Sequence, residues 1–166
     1  SDWEKFASYA FNKSHATCYS WVAYQTAYMK AHYPAEYMAA LMTRRFSQIT
    51  EITKLMEECK ALKIATLGPD VNESQIGFGV NKHGEIRFGL SAIKGMGASA
   101  ADSIVRERTE NGPYKDIYDF AERVDLSNVN RKAFESLAYS GGFDSFGLQR
   151  EQYFAVTGKG DLFLDT

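Results

Sequence analysis

The sequence predicts a mainly α-helical protein with a helical array, one small β-hairpin and a pair of helix-hairpin-helix units. Over residues 1–65, apolar residues recur at intervals of three and four, as they do on one face of an amphipathic helix. Between residues 76 and 88 the apolar residues alternate instead, which is typical of strands. Glycine pairs beside short apolar helical segments, at residues 95–97 and 141–142, are typical of tight turns between helices.

Composition and charge limit the kind of protein this can be. The chain has 166 residues, is 45% hydrophobic and carries a formal net charge of −2 at pH 7. Such a composition is typical of a folded domain. The near-neutral charge excludes the overall positive field of a free-standing nucleic-acid-binding protein. Any contact with a nucleic acid must therefore be local, or be helped by other parts of a larger protein.

The sequence contains no pattern for a metal site, a membrane span or an export signal. Cys18 and Cys59 form no Cys-x-x-Cys pair, and the 3 histidines lack the spacing of metal ligands, so we expect reduced thiols and no metal. No apolar run approaches the roughly 20 residues that cross a bilayer, and we expect a cytoplasmic protein without membrane contact. Because the sequence begins at Ser1 without a methionine, in a stretch with a helical pattern, we also expect a fragment of a longer chain.

The helical array of residues 1–65 is predicted from its helix starts and apolar repeats. Ser14 is predicted to be the N-cap of the longest helix, and Pro34 to stand in the first turn of the next one. Apolar repeats between residues 35 and 59 predict two helices, the one that begins at Pro34 and another after Ser47. The predicted buried stripe of the longest helix consists of Cys18, Trp21, Val22, Gln25 and Met29.

Residues 66–89 combine turns with a short β-hairpin. The segment "LGPDVNES" is rich in turn-forming residue types. Apolar and polar residues then alternate on both sides of Asn81-Lys82-His83-Gly84, which predicts two strands joined by a four-residue turn. Two strands alone are marginally stable, so we expect the hairpin to pack against helices.

Residues 90–155 are predicted to form short helices around the two glycine turns, with a last helix after residue 148 and a loose tail over residues 156–166. The first turn, with Gly95, Gly97 and Ala100, matches the relaxed dinucleotide-binding pattern G-x-G-x-x-A. That pattern requires a buried strand before the turn and a parallel strand after the helix. Because the sequence predicts neither strand, we disfavour a dinucleotide site.

A helix-hairpin-helix fits the same turn better. Gly95 would take a positive φ at little cost, with Met96 as an apolar anchor. Gly97 would let a phosphate approach the backbone N–H groups at Ala98, where the helix dipole favours an anion, and Lys94 would add charge. Such a site contacts only the sugar-phosphate backbone and reads no sequence. The alternative is a turn that merely closes a compact helix pair.

A second, weaker copy of the turn follows at Gly141-Gly142, between an apolar helix and Phe143. Two such units packed together would bridge both strands of a duplex. Positively charged side chains flank the two turns and are further candidates for DNA contact. They are Arg106, Arg108, Arg131 and Lys132.

The order of the segments along the chain resembles one known family. The segments are "FASYAFNKSHATCYSWVAYQTAYMKAHYPAEYMAALM", "LGPDVNES", "IRFGLSAIKGMGASAADSIVRER", "GPYKDIYDFAERVD" and "NRKAFESLAYSGGFDSFG". In this succession they closely resemble the C-family bacterial replicative DNA polymerases, at the alpha subunit of DNA polymerase III. The resemblance runs from about Phe6 to Phe154.

The resemblance implies a division of the chain. Residues 1–65 would be the C-terminal part of the fingers, 66–89 a linker with the hairpin, and 90–155 a tandem helix-hairpin-helix module that contacts duplex DNA near the region that binds the sliding clamp. In this family the palm carboxylates that hold Mg²⁺ lie upstream. The resemblance therefore implies no catalytic residue and no cofactor in this piece.

The resemblance also gives the stretch "NKSH" a role. Lys13, Ser14 and His15 would line the side of the fingers that faces the incoming deoxynucleotide, at the start of the long helix. The alternative is that Ser14 is only an N-cap and Lys13 a solvated neighbour. For the chain as a whole, the rival interpretation is a structural linker, held by the remainder of the polymerase chain, with little direct DNA contact.

Overall fold

The computed structural model describes residues 3–4 and 13–154, and its six helices and small sheet confirm the predicted mainly α-helical fold class. The helices are α1 (Lys13–His32), α2 (Pro34–Arg44), α3 (Ile49–Ala61), α4 (Ala98–Asn111), α5 (Ile117–Arg123) and α6 (Arg131–Ser140). Short 3-10 helices span Leu90–Ala92, Asp144–Phe146 and Arg150–Phe154, the last where a helix was predicted. The predicted tail, 156–166, lies outside the described residues.

The first hydrophobic core joins α2 and α3 to the sheet. Met38 and Met42 of α2 and Cys59 of α3 have no exposed surface, as the apolar repeats of this region predict. Pro34 stands at the start of α2, as predicted. The other buried members are Ala35, Ala39, Ile52, Phe78 and Ile86.

The stripe predicted to be buried in α1 is exposed. Cys18, Trp21, Val22, Gln25 and Met29 are all exposed, and no residue of α1 is buried. Among the described elements α1 packs mainly against α2, so most of its apolar surface has no described partner. Helical spacing shows which residues share a face, and the surrounding chain decides whether that face is covered.

The sheet has three strands instead of the predicted two. β2 (Gly79–Val80) and β3 (Ile86–Arg87) pair antiparallel, as expected for the hairpin. β1 (Thr66–Leu67) adds to the other side of β3 in parallel. A strand of two residues is too short to show an alternating pattern in the sequence. Its pairing with β3 depends on the tertiary fold.

The second hydrophobic core lies among α4, α5 and α6 and is rich in aromatic rings. Phe120 is fully buried. Its ring makes edge-to-face contacts with Tyr114, Phe134 and Phe143, at centroid distances of 4.8, 5.2 and 5.1 Å. Such contacts add to the stabilisation from apolar burial. The periodicity of residues 117–124 predicts this inward face of α5.

The loop 70–74 connects the parts of this second core. Val71 is fully buried, and its N–H donates to Gly142 O at 2.9 Å. The Asn72 side chain donates to Tyr114 O at 2.8 Å and accepts from Tyr114 N at 2.7 Å. A loop that the sequence marks only as turns therefore fastens the second glycine turn to the segment between α4 and α5. Across the described residues, no helix is long and apolar enough to span a membrane.

Candidate nucleic-acid interface

The first glycine turn is a tight turn between two apolar anchors. Met96 N donates to Ile93 O at 3.0 Å, and Gly95 has a φ of +92°. A positive φ at the third position of a β-turn favours glycine. Ile93 and Met96 are both buried, whereas Lys94 and Gly95 are exposed. The surface of the turn is therefore formed by Lys94 and Gly95. The Met96 amide, predicted to contact a phosphate, is bonded inside the turn instead.

The start of α4 supplies the open donors. Gly97 is the residue before α4, and no side chain caps the start of this helix. The first turn of α4 holds no acidic residue. In the part of the chain that the structure describes, the amides of Gly97, Ala98 and Ser99 donate no hydrogen bond. All three residues are exposed. Free N–H groups and the helix dipole make such a start favourable for an anion.

Lysines from two different elements lie beside this turn. Lys94 is part of it, and Lys132 reaches it from α6. A Cβ built on Gly95 would be 3.4 Å from Lys132 Cε and 2.7 Å from Ser136 Oγ. Both lysines are exposed, and no acidic group among the described residues is within ion-pair distance of either. The tertiary fold thus adds a second cation, Lys132, to this turn. The sequence predicts only that Lys132 flanks one of the two glycine turns.

Arg108 does not belong to this surface, and the prediction of a DNA contact for it is corrected. The residue is 9% exposed, and its Nη1 donates to Val71 O at 2.8 Å. Burial lowers the pKa of the Arg108 guanidinium, although at neutral pH it stays protonated. The side chain faces the core because it stands on the inner side of α4, four residues after Ile104. Its role is to fasten the loop 70–74.

Replacing Arg108 with Met should separate structure from DNA contact. We expect a loss of about 1–2 kcal/mol in the free energy of unfolding, because Val71 O loses its partner in a buried site. The folded variant should bind DNA as the parent chain does. Urea denaturation followed by circular dichroism measures the first effect, and a DNA titration well below the unfolding midpoint measures the second. A stable variant with weakened DNA binding would contradict this assignment.

The second glycine turn is closed, contrary to the prediction of a second phosphate contact. Gly141 and Gly142 are buried. Gly141 has a φ of +86°, and the two amides donate to Ala138 O and Leu137 O at 3.3 and 2.7 Å. This pattern is a Schellman-type end of α6. The two amides that would hold a phosphate already have partners.

The surroundings of the second turn hold an ion pair. Asp144 follows it and pairs with Arg150, whose hydrogen bonds lower the pKa of the Asp144 carboxyl. A Cβ built on Gly141 would lie nearest to the Arg150 guanidinium and 2.7 Å from Asp144 Oδ2. Up to residue 154, two short 3-10 helices follow, Asp144–Phe146 and Arg150–Phe154, in place of a full α-helix. A glycine pair in the sequence does not distinguish this closed turn from the open first one.

The remaining predicted arginines are exposed. Arg131, at the start of α6, forms an ion pair with Glu135, with 2.9 Å between Nε and Oε1. The pKa of the Asp125 carboxyl is lowered, mainly by hydrogen bonds from Ser127 and Asn128. The positive charge of Arg106 on α4 makes a smaller contribution to the same lowering. Neither arginine is placed at the Gly95 turn by a described contact.

The nucleotide-facing candidates lie in the first turn of α1. Lys13, Ser14 and His15 are all exposed, and the His15 ring packs on Tyr19 with 4.4 Å between centroids. Ser14 is inside the helix, since α1 already includes Lys13, so its prediction as N-cap is wrong. Asn12, the first residue of the stretch "NKSH", lies outside the described residues.

Comparison with known proteins gives one family and a consistent set of relatives. The model of the helix-hairpin-helix motif matches residues 63–153. The DNA polymerase III subunit alpha of Chlamydia trachomatis is 47% identical over 153 residues, which are 92% of this chain and 12% of that protein. The subunits of Pasteurella multocida and Escherichia coli are 45% and 42% identical over 147 residues, each covering 89% of this chain and 13% of the relative. The chain thus spans about one eighth of the length of these relatives.

Proposed function

Because the chain belongs to the helix-hairpin-helix motif family, we propose that it holds the sugar-phosphate backbone of duplex DNA at the Gly95 turn, as part of a bacterial replicative polymerase. The relatives over most of its length are DNA polymerase III alpha subunits. The proposal assigns this chain a positioning task in the bacterial cytoplasm and leaves nucleotidyl transfer to other parts of the polymerase.

One observation carries the proposal: open backbone amides meet two exposed lysines at the same turn, and neither lysine forms an ion pair with a described residue. The amides of Gly97, Ala98 and Ser99 can donate to phosphate oxygens, and Lys94 and Lys132 supply local charge that the chain as a whole lacks. Contacts to phosphate alone are independent of base sequence, which suits a protein that must hold any primer-template.

The long helix α1 is proposed to serve the fingers. Lys13, Ser14 and His15 are exposed at its start and would face the incoming deoxynucleotide. Its exposed aromatic residues, among them Trp21 and Tyr24, would pack against the remainder of the polymerase chain. The sliding clamp is expected nearby, beyond the surfaces described above.

The resemblance implies Mg²⁺ for the whole polymerase. Within residues 3–4 and 13–154, no three His, Cys, Asp or Glu side chains converge on a point where a metal ion could sit. The described residues therefore do not fit the ion, and we derive no catalytic step from them.

A DNA titration of this chain tests the proposal. We expect weak binding to a random duplex at about 50 mM salt that fades by about 200 mM, since phosphate contacts release counterions. Lys94→Glu should weaken the binding about tenfold, because it places a negative charge beside the phosphate. Lys60→Glu, the same change at an exposed position on α3, is the control and should have a much smaller effect. Fluorescence anisotropy with a labelled duplex measures all three.

Two outcomes would favour other functions. No binding by the parent chain even at low salt would support the structural linker. The net charge of −2 and the closed second turn are consistent with that function. Saturable binding of a free dinucleotide or triphosphate without DNA would point to an autonomous nucleotide-binding protein. We expect no such binding.

A further inference from the structure

Helix α1 carries a first ridge of three exposed aromatic side chains, Trp21, Tyr24 and Tyr28. Because an α-helix has 3.6 residues per turn, these three positions lie on one side of α1. Their rings follow one another along the helix, with 6.2 Å between the centroids of Trp21 and Tyr24 and 6.4 Å between those of Tyr24 and Tyr28. The three residues are 62%, 63% and 47% exposed. The first ridge is therefore a continuous aromatic surface that is open to solvent.

A second ridge runs beside the first one and consists of Tyr19, Val22 and Met29. These residues are 65%, 55% and 43% exposed. Cys18 and Gln25 lie between the two ridges on the helix surface and are also exposed. Two ridges separated by a groove are the kind of surface through which helices pack against each other.

The part of α1 that forms the ridges lacks the charged side chains that usually mark the solvent-exposed face of a helix. Residues 14–29 include no aspartate, glutamate, lysine or arginine. The helix is held at its end, where Lys30 pairs with Glu58 of α3, and by α2, its main neighbour among the described elements. Since the ridges stay exposed despite these contacts, a further partner is needed to bury them.

The exposed area of the two ridges is large enough for a stable dimer. A fully covered aromatic side chain buries about 150–250 Å², so side chains that are 43–65% exposed offer on the order of 700 Å² over both ridges. The largest apolar patch of a typical monomer is about 300–600 Å². A standard interface buries about 800 Å² on each partner, its polar rim included. A second copy of α1 therefore matches the ridges in area and in chemistry.

We infer that the 166-residue chain forms a symmetric dimer through α1, in which the ridges of one copy pack into the groove of the other. A two-fold axis brings the same surface of both copies together, so the interface must be self-complementary. Two apolar ridges without acidic or basic neighbours satisfy that condition. The inference goes beyond the proposed function, because it gives this surface a partner when the remainder of the polymerase chain is absent.

Sedimentation equilibrium of the chain tests for the dimer. We expect the molecular mass to rise with concentration to twice that of one chain and then to stay constant, with a dissociation constant on the order of micromolar or below. A monomer at every concentration would leave the ridges to the remainder of the polymerase chain and would overturn the inference. A mass that continues to rise past the dimer would also overturn it, because a closed two-fold interface accepts no third copy.

Tyr24→Glu tests whether the interface lies on α1. The substitution places a negative charge in the first ridge of both copies and should raise the dissociation constant of the dimer at least about tenfold. Ile49→Glu is the matched control, because it introduces the same charge on α3 at a position that is 74% exposed. It should leave the dimer unchanged. Equal dimerisation of Tyr24→Glu and the parent chain would contradict the inference, and circular dichroism of both variants shows that the helices are retained.

The thiol of Cys18 gives a second measurement, because Cys18 lies in the groove and is exposed whereas Cys59 is buried. Its reaction with a maleimide should be slow at concentrations at which the dimer forms and fast in Tyr24→Glu. A dimer whose Cys18 reacts as fast as that of the variant would show an uncovered groove, and the inference would be wrong. Neither measurement involves DNA, so failure of the dimer and failure of the proposed function are observed separately.

Discussion

Replacing Phe120 with Ala is expected to lower the free energy of unfolding by about 3–5 kcal/mol. The ring is fully buried and contacts Tyr114, Phe134 and Phe143 edge to face. Its loss would remove apolar burial and these contacts and would leave a cavity that the packed helices cannot fill. Since small domains are stable by only about 5–15 kcal/mol, this region would be near its unfolding threshold at physiological temperature.

Tyr118→Ala is the matched control for Phe120→Ala. It removes an aromatic ring from the same helix, at a position 68% exposed, and should cost less than about 1 kcal/mol. Chemical denaturation of both variants measures the difference. If the two variants were equally stable, the aromatic cluster would not be the centre of this core. Weak DNA binding by a partly unfolded Phe120→Ala chain would be consistent with the site's dependence on this core.

Gly89→Ala is expected to cost about 2–3 kcal/mol, in the range of overpacked cores. Gly89 has an ordinary φ of −74°, so the backbone would accept alanine. A Cβ at this position would nevertheless lie 2.3 Å from the carbonyl carbon of Gly77 and 2.6 Å from its oxygen. These atoms belong to backbone, so the segment before the first turn would have to move away from the segment that enters β2.

Gly68→Ala is the same substitution in an open position, with no atom within 4 Å of the added Cβ. It should change the free energy of unfolding by no more than about 0.5 kcal/mol. The pair of alanine variants therefore measures crowding at Gly89 apart from the general effect of removing a glycine. Equal unfolding midpoints for the two would show that the segments at Gly77 and Gly89 can separate at little cost.

The two glycine turns show how far sequence reasoning reaches in this protein. Both have the same local signal, a small or flexible pair of residues after an apolar segment. At Gly95 the following residues begin a 14-residue helix and leave their amides open. At Gly141 the preceding helix uses the amides for its own end, and the loop 70–74 binds the carbonyl of Gly142. The difference comes from residues distant in sequence, such as Val71.

Arg108 and Lys132 show the same limit for side chains. Both are cations near the turns, but one faces the core and bonds to Val71 O, whereas the other lies over Gly95. Charge and position along a helix do not predict whether such a side chain faces the core or the turn. The packing of the neighbouring elements decides it.

The sequence by itself determined the helical class, the start of α2 at Pro34, the inward face of α5 and the existence of both glycine turns, because helix propensity, the fixed φ of proline and apolar periodicity act within a few residues. Tertiary structure alone decided that α1 keeps its aromatic face exposed, that β1 joins the sheet, and that one turn is open while the other is closed. Those outcomes depend on which distant groups cover a surface or take up a hydrogen bond, and no local pattern encodes that choice.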